Sequence, residues 1–226
     1  MSTPEFCFLQ AATKLTIVQL LLLGLELCGT YVFVEGEPAK RREAPLTTVD
    51  QLLSFVQGTP NAHGRAKALR VLRYLQDRSA SPMESALYML LCLPNSLGGY
   101  GIPTPQINYR IDIPQRFRKL ADRSYCECDL CWPDANLCLE YDSELHHADL
   151  ERRQSDARRR NTLLSMGCTV VTVTYDQIAN GESLNRLARQ TAKRVGKRLR
   201  LNDPDFTRAH LALKAELWQE LFPQLF

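Results

Sequence analysis

The stretch SYCECDLCWPDANLCLEYDSELHH, residues 124–147, holds two runs of strand character on either side of a short turn, Pro133-Asp134-Ala135-Asn136. If Trp132 and Leu137 close that turn, Asp129 faces Glu140 and Glu127 faces Asp142. Side chains alternate along a strand, so these four acids are expected on one face of the hairpin. Directly opposed Cβ atoms sit about 4.5–5.5 Å apart, and like charges at that distance repel. A divalent cation with oxygen ligands would offset the repulsion; a solvated acidic hairpin is the plainer reading. The opposite face carries Cys126, Cys128, Leu130, Leu139 and Tyr141, which suits a core.

Working outward, a helix is expected from about Ala148 to Met166, stopped by Gly167. The β-branched run Thr169 to Thr174 then forms a buried strand. Upstream, Ile107 to Ile111 alternates apolar and polar residues, as a strand does. Before it, Ser81-Pro82-Met83-Glu84 opens a helix that runs to about Leu93, and residues 94–105 form a Gly/Pro-rich loop. From Glu84 onward the order is therefore helix, three strands, helix, strand. Residues 1–78 read as a mainly helical region, with helices near Phe6–Leu15, Ile17–Leu27, Gln51–Val56 and Arg65–Gln76. Within it Tyr31 to Val34 suits a strand and Glu35 to Arg42 a polar loop. A basic helix over Glu182 to Leu201 is broken by Asn202-Asp203-Pro204, and an amphipathic helix, Thr207 to Leu221, lies in a C-terminal segment, 202–226.

The 226 residues are 45% hydrophobic with a net charge of +3, enough for a packed core and only mildly basic overall. MSTPEF has no basic n-region followed by an uninterrupted apolar stretch, and Leu20–Leu23 is too short and interrupted to span a bilayer. The expectation is a cytoplasmic protein with no membrane partner and eight reduced cysteines.

Phosphodiester hydrolysis calls for a metal that activates water and stabilises charge on the phosphate. Asp129 and Glu140 are candidate metal ligands, Asp142 a further one, and the imidazoles of His146 and His147 candidate acid or base groups. With these residues in view, Glu84 to Thr174 resembles the PD-(D/E)xK nuclease core. More closely it resembles a Vsr-like branch of small bacterial endonuclease-like proteins, related to the very-short-patch repair endonuclease. The residues that carry the resemblance are Glu84, Asp129-Leu130-Cys131-Trp132-Pro133, Glu140-Tyr141-Asp142, His146, Asp156, Arg159, Leu163 and Gly167. Ser143 stands where that branch has Gly, and Asp142 occupies the place of the usual lysine after Glu140.

The resemblance implies an α/β restriction-endonuclease-like core, residues 79–201, with a mixed sheet behind the helical N-terminal region. It implies a nucleic-acid substrate, expected to be DNA, and Mg²⁺ or Mn²⁺ as cofactor. It also implies catalytic roles for Glu84, Asp129, Glu140, Asp142, His146 and His147. A nuclease-fold protein that binds DNA without cutting, such as a regulator or toxin–antitoxin component, is the alternative. Two assignments stay open. Glu84 is also placed to close a capping box with Ser81. Asp156 and Arg159, three apart on one helix face, suit a structural ion pair, or with Arg160 an orienting or phosphate contact. Strict alternation places Cys126 and Cys128 on the face opposite Cys131 and Cys138, which argues against one zinc site using all four. Arg152, Arg153, Arg158, Arg160 and the series from Arg186 to Arg200 offer a basic rim for a phosphate backbone, or solvated helix faces.

Overall fold

The structure, a computed structural model, describes residues 2–34, 37–142 and 150–222. The chain packs as two units: residues 1–99 with 201–226, and residues 100–200.

The first unit holds α1 (Pro4–Ala11), α2 (Ile17–Leu27), β1 (Tyr31–Val34), β2 (Glu37–Arg41), α3 (Val49–Gln57), α4 (Arg65–Leu72), α5 (Pro82–Cys92) and α9 (Pro204–Leu221). Local capping starts its helices. Thr16 with Gln19 and Thr48 with Gln51 close reciprocal boxes before α2 and α3. Leu20, Leu21 and Leu25 of α2 are fully buried, as are Leu52 of α3 and Leu87 and Leu90 of α5. The loop expected over 35–42 is in its described part a strand: β2 pairs antiparallel with β1, Tyr31 opposite Arg41. Every residue of β2 is exposed, so it has no apolar alternation to announce it. Pro204 does not break the chain before α9 but starts it, with Asp203 as the cap accepting from the Asp205 amide.

The second unit is a four-stranded mixed sheet in the order β3-β4-β5-β6: β3 (Gln106–Asp112), β4 (Tyr125–Trp132), β5 (Leu137–Asp142) and β6 (Thr169–Thr174). β3, β4 and β5 run antiparallel in succession, and β6 lies parallel to β5. The parallel step needs a crossover, which α6 (Leu150–Ser165) supplies. α7 (Tyr175–Ala179) and α8 (Gly181–Arg194) follow. Leu163 of α6 packs on the sheet face that carries Cys128, Cys138 and Val170. Leu137, Thr169 and Val171, on the alternate pleat, lie beside Leu187 and Thr191 of α8. The sheet is thus covered on both faces. α8 stops at Arg194 rather than near Leu201, because Gly196 turns left-handed (φ 71°).

Candidate functional site

The turn between β4 and β5 forms as the sequence suggests. Pro133–Ala135 makes one tight 3₁₀ turn and Asn136 takes a left-handed φ of 47°. Trp132 pairs with Leu137, Cys131 with Cys138 and Leu130 with Leu139, the expected register. The ladder then ends. Asp129 does not pair with Glu140 through its backbone. Its Oδ2 instead accepts the Tyr141 amide at 2.7 Å, taking the place of a ladder carbonyl.

An interruption in the pleat explains this. Between β3 and β4 the register is continuous on both sides of Asp129, and Asn108, the residue that faces it, has a left-handed φ of 46°. Cys128 and Cys131, three apart, both lie on the face packed by α6. Strict alternation forbids that, so the pleat is interrupted at Asp129 and Asn108, one residue on each strand, and resumes beyond them in the same register. The expected split of the cysteines is therefore wrong. Cys126 and Cys128 share the face of Cys131 and Cys138, and the thiol beside the Glu140 carboxylate is that of Cys128. The four acids do not form one row either. Glu127 and Asp142 are exposed, Asp129 is half-buried and Glu140 is buried.

Glu140 is the electrostatic centre. Burial pushes its carboxyl pKa up, opposed chiefly by the charges of Arg159 and Arg160. Arg159 Nη2 donates to Glu140 Oε2 at 2.8 Å, and Nη1 donates to the Glu127 carbonyl at 2.9 Å. Glu140 Oε1, fully buried, has no hydrogen-bond partner among the described residues. The guanidinium is also stabilised in its charged form by Asp156 and Asp129. The ion pair expected between Asp156 and Arg159 is replaced by Arg159–Glu140. A buried carboxylate needs a cation more than an exposed one does, and Asp156 is exposed to water. Arg160, also exposed, acts on Glu140 through its charge.

Asp129, Glu140 and Arg159 are thus brought together, with Asp142 at the exposed end of β5. Glu84 lies on α5 in the other unit. It is 7% exposed, and its Oε2 accepts the Ala80 amide at 2.9 Å, one residue before the amide a capping box would use, while Ser81 Oγ accepts the Glu84 amide. His146 and His147 lie outside the described residues. Sequence reasoning missed Asn108 and Cys128 as neighbours of the acids. The Cys128-x-x-Cys131 spacing was the available signal.

The cysteines converge further. Cys138 Sγ lies 3.3 Å from Cys131 Sγ and 3.4 Å from Cys168 Sγ, and the Cys128 thiol hydrogen-bonds to it as well. Even so, no three His, Cys, Asp or Glu side chains among the described residues surround a common point suited to a metal ion. A Mg²⁺ ion needs less from the protein, because it keeps several waters and binds through one or two carboxylates and substrate phosphates. Asp129 and the unpartnered Oε1 of Glu140 fit that demand.

Comparison with known proteins gives a distant likeness. No family model matches the chain, and no solved structure matches it. Two uncharacterized proteins from two strains of Mycobacterium tuberculosis are each 25% identical to it over 169 residues. Each match covers 69% of this chain, and the chain spans 58% of the relatives' own length. No helix among the described residues is long and apolar enough to cross a membrane.

Proposed function

We propose that residues 100–200 carry the catalytic sheet of a metal-dependent endonuclease of the PD-(D/E)xK kind, acting on DNA in the cytoplasm. The observation that carries this reading is the buried, unpartnered Oε1 of Glu140 on β5, with the Asp129 carboxylate anchored to the next residue of the same strand. The chain order α5, β3, β4, β5, α6, β6, with β6 parallel to β5, supports it. Asp129 and Glu140 would hold Mg²⁺ or Mn²⁺, with Asp142 as a further ligand. The metal would supply Lewis-acid stabilisation of the phosphate and a bound water of lowered pKa.

The chain's own residues have definite tasks. Tyr141 N–H fixes one Asp129 oxygen, so that the carboxylate cannot rotate freely. Arg159 opposes the burial that would neutralise Glu140, keeping its charge available. His146 and His147 would be the acid or base groups, since Asp142 stands where the usual lysine after Glu140 would be. Exposed Arg116, Arg118, Lys119, Arg158 and Arg160 in the same unit would meet the phosphate backbone. The test is supercoiled plasmid with Mg²⁺ or Mn²⁺, the parent beside Glu140→Ala and Asp129→Ala. Nicking by the parent alone is the expected result; equal nicking by all three sinks the assignment.

A second reading has its own observation. The Glu140–Arg159 ion pair already gives that carboxylate a cation. A nuclease fold that binds DNA without cutting, a regulator or toxin–antitoxin component, would show retained binding in both variants and no nicking by the parent.

A further inference from the structure

Gly167 decides where Cys168 goes. Its left-handed φ of 85° ends α6 in a Schellman turn: the Cys168 amide donates to the Leu163 carbonyl and the Gly167 amide to that of Leu164, both at 2.9 Å. The chain folds back at once into β6, and the Cys168 side chain enters the layer between α6 and the sheet. There Cys128 and Cys138 are 0% exposed and Cys131 2%, whereas Cys168 is 8% exposed and forms the outer end of the group.

The spacing favours sulfur–sulfur chemistry over a metal. A tetrahedral zinc–thiolate site, with Zn–S near 2.3 Å, has sulfurs about 3.8 Å apart. The contacts to Cys138 are 3.3 and 3.4 Å, inside that edge. A disulfide, at about 2.05 Å, needs the Cys138 and Cys168 sulfurs to close by roughly 1.3 Å.

We infer that Cys168 and Cys138 form a peroxide-sensitive dithiol, with Cys168 the attacking sulfur and Cys138 the resolving one. The Cys168 thiolate attacks one oxygen of a hydroperoxide and breaks the O–O bond. This gives a sulfenic acid and releases hydroxide, or the alkoxide of an organic peroxide. Cys138 sulfur then attacks the Cys168 sulfur and expels the sulfenic oxygen, which leaves as water with the thiol proton. Two thiols are oxidised, one peroxide is reduced, and β5 becomes covalently tied to the turn before β6. Cys168 is the most exposed sulfur of the group and lies 3.4 Å from Cys138, so a peroxide reaches it first. The inference is independent of the nuclease reading.

Tryptic mapping tests it. Residues 124–152 contain no lysine or arginine before Arg152, so Cys126, Cys128, Cys131 and Cys138 share one peptide, while Cys168 lies in 161–186. The reduced, native full chain is treated with hydrogen peroxide, its remaining thiols are capped with N-ethylmaleimide in denaturant, and it is digested without reductant. The expected product is peptide 124–152 joined to 161–186 with the loss of two hydrogens. Cys131→Ala keeps this product and Cys138→Ala loses it. Tandem fragmentation of the parent's linked pair places the bond at Cys138 independently, should Cys138→Ala fail to fold. Three results would overturn the inference: a Cys168 that stays capped by maleimide or carries a sulfinic acid; a bond at Cys126, Cys128 or Cys131; or stoichiometric zinc in the purified protein that the oxidant releases.

Discussion

Arg159→Met strands the most deeply buried charge near the site. The guanidinium makes a 2.8 Å bond to Glu140 Oε2 and a 2.9 Å bond to the Glu127 carbonyl, and the two charged side chains are 36% and 10% exposed. Removing one partner of a fully buried pair costs about 3–5 kcal/mol. Because Arg159 is a third exposed, water screens the pair and solvates part of what is left, and we expect about 2 kcal/mol. Met retains the apolar stem, so the loss reports charge rather than packing. With a urea m-value near 2 kcal/mol/M, the unfolding midpoint falls by about 1 M.

Two controls sharpen this prediction. Glu140→Gln in the Arg159→Met background removes the stranded carboxylate and recovers about half of the loss or more. The deficit also depends on pH. The Glu140 pKa is raised in the folded state, so its contribution to stability is complete below the ordinary value of 4.5 and is lost as pH rises through the folded value. Without Arg159 the folded value rises further, so the variant's deficit shrinks as pH falls toward 4.5. Urea titrations of the parent, the single and the double variant at two pH values measure all of this. A midpoint change under about 0.2 M for Arg159→Met, or a double variant no more stable than the single, refutes the assigned pair.

Asp129→Asn keeps an oxygen for the Tyr141 amide, so stability should change by less than about 1 kcal/mol. Under the nuclease reading, plasmid nicking with Mg²⁺ nevertheless falls by about 100-fold or more. At Gly98, φ is 87° and an added Cβ would stand 2.4 Å from the Ala209 carbonyl oxygen and 2.7 Å from Leu213 Cβ. Gly98→Ala therefore costs about 2–3 kcal/mol by urea denaturation. Burial pushes the His210 pKa below its ordinary 6.5, with its ring beside Phe206 and Nδ1 2.7 Å from the Gly98 carbonyl. The unfolded chain then binds the proton more readily, so stability is lost as pH falls below 6.5 through the folded value. His210→Gln should flatten that part of the pH profile.

Much of the local structure was legible because short-range signals decide it. Ser81-Pro82 starts α5, Gly167 ends α6, β-branched residues make β6, and the turn Pro133–Asn136 sets the first three pairs between β4 and β5. Other features gave no such signal. β2 is exposed throughout and is a strand because β1 is beside it. α7 is a five-residue helix whose Thr174/Gln177 capping box went unread inside a strand ending. In the site, the acids on β4 and β5 and the arginine on α6 were all named from sequence. Their pairing was not: Arg159 was matched with its helix neighbour Asp156 and not with Glu140 across the sheet.

The residue types and the period of each segment settled, without any coordinates, that this chain makes helices around a hairpin rich in acids and thiols. The tertiary structure alone decided which way those side chains face. A break in the pleat at Asp129, opposite a left-handed Asn108 on the next strand, reverses the faces. Every residue on the far side of that point changes face, so Cys128 joins Cys131, Cys138 and Cys168, and Glu140 meets Arg159 in place of Asp129. The break is shared by two strands, and within β4 only the spacing of Cys128 and Cys131 marks it.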